Sequence, residues 1–193
     1  SLLIFTFLSC QENRPHGNQY NLPELTPNNH LIGNLNENRS SYRVSFYDIN
    51  IDFDIENKSL NGFVTIKAES MRDLNQLQLD LAENLNIKKI IHKNRNLTFS
   101  REFDAVLIDF KSTIKKGNFF DFTVYYYGSP QSADNPPWDG GFTWSKDKDG
   151  RDWIAVSCEG EGARIWWPNK DHITAEGDSV RMVYTVPSNM FAV

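Results

Sequence analysis

The sequence predicts an all-β fold, an antiparallel β-sandwich or saddle-shaped sheet, and three observations carry that expectation. Tyr47, Ile49, Ile51, Phe53 and Ile55 alternate with Asp48, Asn50, Asp52, Asp54 and Glu56, the period of a half-buried strand. Further short segments rich in β-branched and aromatic residues follow, separated by turn-forming residues. No long stretch carries the apolar spacing of an amphipathic helix. With 193 residues, 39% hydrophobic and 13% aromatic, the chain has the material for one packed domain of ordinary size.

The beginning has a different character. Residues 2–8 are apolar, Ser9 and Cys10 follow, and there is no initiating Met. A run this short cannot cross a bilayer, which takes roughly 20 residues. It reads as the end of the apolar region of a signal peptide, residues 1–10 forming its remnant. A small residue directly before Cys10 is the pattern of a bacterial lipoprotein, with cleavage at Cys10 and lipidation of its thiol. Phe7 departs from the Leu, Val or Ile such signals prefer, and a plain secretory signal or a buried apolar strand are the alternatives. The expected location is the cell envelope, with the exported chain lipid-anchored to a membrane or periplasmic. Acylation of Cys10 would leave Cys158 alone, without an internal disulfide and in the role of a small buried residue.

Residues 11–40, rich in Asn, Pro, Glu and Gly, read as a flexible tether, and residues 41–193 as the folded body. Sequons at Asn38, Asn57 and Asn96 would matter only in a eukaryotic secretory pathway, against which the lipoprotein-like start argues. The acidic face of residues 48–56 reads as solvated edge charge rather than a metal site. Residues 57–62 supply turn chemistry, with Phe63, Val64 and Ile66 opening the return strand. Strands are expected around Leu77, Leu79 and Leu81, over residues 85–91, 105–110 and 119–127, with a turn at residues 115–118. Residues 128–150 form a long loop carrying Trp138, Phe142 and Trp144, the kind of loop that binds or docks. Strands resume at residues 153–156 and 179–186, and Met190, Phe191 and Val193 suggest a contact still to be completed.

Charge and motifs narrow the chemistry. The formal net charge is −5 with Lys and Arg scattered, so a nucleic-acid partner has no electrostatic support. His16, His30, His92 and His172 lie far apart, and neither His-Glu-x-x-His nor a nucleophile elbow nor a phosphate loop is present. Catalytic and metal-binding residues are therefore not expected within this chain. Residues 147–152 superficially resemble a calcium loop, but Cys158 stands where the bidentate Glu would be needed, and a charged hairpin turn is the better reading. The informative stretch is residues 157–171. In a strand Ser157, Glu159 and Glu161 would share one face, and Trp166-Trp167-Pro168 follows. The residues alone leave open whether this is a surface strand with solvated glutamates or a binding site.

In order and spacing, Cys158-Glu159, Ala163-Arg164, Trp166-Trp167-Pro168 and the acidic turn at Asp171 resemble the signature in the amino-terminal domain of the aminopeptidase N family of zinc peptidases, which includes the leukotriene hydrolase. Residues 138–144 and 167–172 are similar to a bacterial branch of that family, and Asp178-Ser179 and Thr185-Val186-Pro187 also fit. The resemblance implies an amino-terminal domain truncated before the catalytic domain of a peptidase that removes amino-terminal residues from peptides. It implies that zinc, the general base and the remaining substrate loop belong to that missing domain, a partner within the same polypeptide. Glu159 would bind the free α-amino group of the peptide, and Ser157, where many members have Gln, would line the pocket beside it. Asn169 stands where other branches have Cys, Ile173 where Pro is frequent, and Glu161 reads as structural. Two readings stand beside this one: a non-catalytic lipoprotein β-sandwich that binds peptide or glycan through its aromatic loop, and a structural domain of an inactive homologue.

Overall fold

The computed structural model describes residues 24–193. Two short helices, α1 (Pro27–Gly33) and α2 (Glu37–Ser40), precede eleven strands. These are β1 (Tyr42–Asp54), β2 (Ser59–Ser70), β3 (Leu74–Asp80), β4 (Leu85–His92), β5 (Arg95–Asn96), β6 (Thr98–Glu102), β7 (Ala105–Ile114), β8 (Phe119–Gly128), β9 (Gly141–Lys146), β10 (Asp152–Ser157) and β11 (Ser179–Thr185). The large sheet has the order β11-β1-β2-β8-β4-β5, a second has β3-β7-β6, and β9 and β10 form a hairpin. All ladders are antiparallel except β1 with β11, which is parallel. The all-β expectation therefore holds.

The alternation over residues 47–56 works as expected. Ile49 and Ile51 are buried, while Asp52 and Asp54 point to solvent. The strand is interior rather than an edge, however, because β11 pairs along its other side. The inner face of the large sheet (Ile49, Val64, Ile66, Phe122, Val124) joins Leu77, Leu79, Val106 and Ile108 of the second sheet in one continuous core. Phe110 of β7 stands edge-on to Phe120 and Phe122 of β8, at 5.5 and 6.0 Å between ring centres. Each such side chain contributes roughly 1.5–3 kcal/mol on burial, whereas exposed ion pairs contribute about 0–1 kcal/mol. Apolar contact is what holds the two sheets together.

Several boundaries differ from the sequence reading. The return strand β2 begins at Ser59, inside the stretch expected to turn (residues 57–62), so Asn61 and Gly62 lie inside the ladder. Gly62 is required there by close approach: a β-carbon would stand 2.5 Å from the Asn50 carbonyl oxygen. The loop expected over residues 128–150 contains β9, and Phe142 is buried with Trp144 stacked on it at 5.1 Å, leaving Trp138 as the exposed ring of that stretch. The charged turn at residues 147–151 is a hairpin turn, with the Asp147 carboxylate accepting from the Asp149 and Arg151 amides.

The tether expected over residues 11–40 does not extend to residue 40. Thr26 caps α1 in a reciprocal capping box with Asn29, and Asn36 caps α2 by accepting from the Arg39 amide. These helices carry too few apolar residues to register as amphipathic. They are held instead by Arg39, a polar residue at 0% exposure, whose partners are distant in sequence.

Candidate functional site

The stretch singled out by sequence, residues 157–171, lies across the end of β10 and returns along the edge of β3. Ser157 is the last residue of β10, and its register partner is Gly141. The chain then turns, with the Glu161 and Gly162 amides both donating to the Cys158 carbonyl at 3.2 and 2.9 Å. Ser157, Glu159 and Glu161 therefore do not share a strand face, which corrects the alternation expected for them. The cause is a pair of glycines at positive φ, Gly160 at 72° and Gly162 at 86°. A β-carbon on Gly162 would collide with the Asp171 carboxylate, and one on Gly140 with the Glu161 side chain, so these glycines permit the turn to pack closely.

The three candidates now separate. Glu159 is exposed at the tip of the turn, and its carboxylate has no hydrogen-bond partner among the described residues. Ser157 is half-buried beside the hairpin. Glu161 is half-buried and pairs with Arg164, Oε2 to Nη2 at 3.1 Å, the structural part expected of it. Cys158 is half-buried, and burial pushes its thiol up, so it is a weak nucleophile. Cys10 lies outside the described residues.

Arg164 and Asp171 anchor the turn from below. The Arg164 guanidinium pairs with Asp104 at 2.8 Å and Asp171 at 3.3 Å, in addition to Glu161. Asp104 also accepts from the Asn28 side chain and the Glu83 amide. Behind this, Asp80 and Asn169 exchange backbone hydrogen bonds at 2.8 and 3.1 Å, making residue 169 an extra rung on β3. Trp166 and Trp167 are core, as their apolar character alone suggests: Trp167 meets Tyr47 edge-on at 5.0 Å, and the Trp166 carbonyl accepts from the Tyr126 hydroxyl at 3.0 Å.

The deepest layer was not legible in the sequence. Arg39 and Asp80, both at 0% exposure, pair at 2.6 Å. Arg39 also donates to the carbonyls of Ile32, Asn34 and Asp171, and Asp80 accepts from the Asp171 amide and the Gln78 side chain. Burial raises the Asp80 carboxyl, with the Arg39 charge opposing it. Lys170 sits beside this pair, its Nζ donating to the Tyr42 carbonyl at 2.8 Å and standing 4.8 Å from the centre of the Tyr42 ring. Burial first, and the Arg39 charge second, push the Lys170 amine down to about 8. Asp80 occupied the polar position of an alternating strand and Arg39 a polar segment, so neither carried a signal. Among the described residues no group of three or more His, Cys, Asp or Glu side chains is placed to hold a metal ion, so these residues do not fit a zinc site.

No family model matches the chain, and no curated protein matches it by sequence. Its fold does match solved structures. A two-domain M1 zinc metallopeptidase variant bound to L-arginine superposes with a TM-score of 0.59 and 20% identity, over 77% of this chain and 33% of that one. The chain has the fold of an M1 metallopeptidase amino-terminal domain. The M1 zinc metallopeptidase from Deinococcus radiodurans matches at 0.57 with 16% identity, over 75% of this chain and 32% of its own. Leukotriene A4 hydrolase from Saccharomyces cerevisiae matches at 0.59 with 15% identity, over 78% of this chain and 24% of its own. This chain thus spans between about a quarter and a third of the length of these M1 structures.

Two outcomes follow from the buried network. Arg39→Met leaves Asp80 without its cation in a dry site and is expected to cost about 3–5 kcal/mol in denaturant unfolding. Adding Asp80→Asn should recover part of that loss, and an unchanged midpoint in the single variant would contradict the role given to the pair. For Lys170 the folded amine is depressed to about 8 from 10.5, so the unfolded chain binds more protons between those values. Its contribution to stability therefore rises with pH across that window. The tyrosines Tyr42 and Tyr47, raised by burial, act in the opposite sense above about pH 10. The unfolding midpoint should climb between about pH 7.5 and 9.5, and Lys170→Met should flatten that climb.

Proposed function

We propose that this chain is the amino-terminal domain of a zinc-dependent aminopeptidase, supplying one wall of the substrate cleft and a carboxylate, Glu159, that anchors the free α-amino group of a peptide. The observation that carries the reading is the likeness of fold to M1 zinc metallopeptidases. The order of motifs from Trp138 to Asp171 and the exposed, unpartnered carboxylate of Glu159 support it. An ammonium held at a fixed distance from the reacting carbonyl restricts cleavage to the first peptide bond, because only that bond is then placed for attack. Zinc belongs in this proposal to residues beyond those described here, as does the group that activates water. What this chain contributes is position: a carboxylate at the tip of a turn whose base is locked by Arg164 and two glycines.

A second reading is favoured by Trp138, 74% exposed, which suits a β-sandwich binding peptide or glycan by stacking. A coding sequence that continues past Val193 into His-Glu-x-x-His favours the peptidase. A stop codon directly after it favours the binding module.

In the full-length polypeptide, Glu159→Gln should weaken binding of substrates with a free amino terminus by roughly 2–5 kcal/mol, the cost of unpairing a desolvated charge. Steady-state kinetics on aminoacyl substrates would measure this, and unchanged kinetics with normal folding and zinc content would remove Glu159 from the site. The same proposal places the protein in the cell envelope, tethered through Cys10. Mass spectrometry of the mature protein should find an amino terminus at Cys10 carrying acyl chains, and an unmodified terminus elsewhere would rule the anchor out.

A further inference from the structure

The β1-β2 hairpin, the end of β8 and the start of β4 meet at one end of the large sheet. In register, Asp52 of β1 lies beside Asn61 of β2, Asn61 beside Tyr127 of β8, and Tyr127 beside Asn86 of β4. These four make one row across the solvent face of the sheet, all of them exposed. At the spacing of neighbouring strands the row is about 14 Å long. Asn and Asp are disfavoured in strands, and a local preference broken repeatedly in one place is the mark of a functional site.

The same four residues, with Asp54 and Lys88, line a groove of about 800 Å³. None of residues 138–171, to which the peptidase reading attaches, lines it. Its floor is tightly built. A β-carbon on Gly128 would stand 2.7 Å from the Asn84 carbonyl oxygen, and the Asn84 side chain donates to the Ser129 carbonyl at 2.6 Å. A bulge in β4 between Ile87 and Lys89 re-aims the side chains there. Lys88 Nζ donates to Asn61 Oδ1 at 2.8 Å and stands 5.1 Å from the centre of the Tyr127 ring, which remains 43% exposed. Among the described residues, the Asp52 carboxylate, the Asn86 amide, the Asn61 nitrogen and the Tyr127 hydroxyl have no hydrogen-bond partner.

We propose that this groove binds a neutral oligosaccharide, one sugar ring packing on Tyr127 while its hydroxyls bond to Asp52, Asn61 and Asn86. Charge selects the class of ligand. A polyanion would meet Asp52 and Asp54, and a polycation would meet Lys88. A hydroxyl both donates and accepts, so a chain of hydroxyls satisfies carboxylate, amide and amine together without carrying charge. The exposed part of Tyr127 supplies the apolar surface on which the C–H face of a sugar packs. A row longer than one ring favours a chain over a single sugar. This site is separate in residues and surface from Glu159 and from Trp138, and it does not depend on the peptidase reading.

The full-length polypeptide is titrated by calorimetry with cellopentaose, maltopentaose and chitopentaose as neutral chains. Glucose serves as the single ring and pentagalacturonate as the polyanion. At least one neutral chain should bind with a Kd below about 1 mM, and about tenfold or more tightly than glucose or pentagalacturonate. Tyr127→Ala should weaken that binding roughly tenfold. Tyr127→Phe keeps the ring and should stay within about threefold, whereas Asn86→Ala should weaken binding by about threefold or more. Trp138→Ala should leave it unchanged. Three results overturn the proposal: no neutral chain bound by the folded protein, tighter binding of pentagalacturonate, or an affinity that falls with Trp138→Ala and not with Tyr127→Ala. If Tyr127→Ala fails to fold, Asn86→Ala decides: weakened binding supports the groove, and unchanged binding overturns it.

Discussion

The buried pair of Arg39 and Asp80 is the constraint on which the arrangement of the candidate site depends. Two charges out of water are costly unless further hydrogen bonds compensate them, and within this pair, among the described residues, only the Arg39 Nε is left without a partner. Here the partners come from α1, from β3 and from the segment around Asp171. One ion pair thereby joins the start of the described chain, the middle of the sandwich and the motif segment. Asp171 links it outward, since its backbone binds the Arg39-Asp80 pair while its carboxylate binds Arg164. The turn that carries Glu159 is therefore braced on a layer of fixed polar contacts, with the tryptophan pair and Tyr47 packed beside it.

This bracing bears on the role proposed for Glu159. A carboxylate anchors an amino group usefully only if its own position is fixed before the ligand arrives, because an anchor that must be ordered on binding loses that entropy from the affinity. Among the described residues Glu159 has no side-chain partner to hold it, so its placement comes from the backbone: the Cys158 carbonyl accepting two amides, and glycines that let the turn close against Gly140 and Asp171. The same logic accounts for Glu161, two residues away and of identical chemistry, which is committed to Arg164 and is a brace rather than a site.

The differences between sequence reading and structure share one cause. Alternation identifies a strand correctly when one face meets water, as in β1. It misleads in β3, where Gln78 and Asp80 occupy the polar positions and are buried too, because the polar groups of α1 and α2 cover that face. The same covering turns part of an apparent tether into structure. Glycine was read as a turn signal at Gly62, where its use is to admit a neighbouring strand.

What the sequence determined by itself is the all-β class, most of the strand positions and the motif segment that resembles a zinc aminopeptidase domain, Glu159 included. Period-two patterning, turn residues and motif order are local, and a single chain displays them. Only the tertiary structure decided that Ser157, Glu159 and Glu161 part ways and that Arg39 and Asp80 form the buried link. Each of these depends on which distant groups meet. Contacts such as Arg39 with Asp171, 132 residues apart, arise only when the sheets have packed.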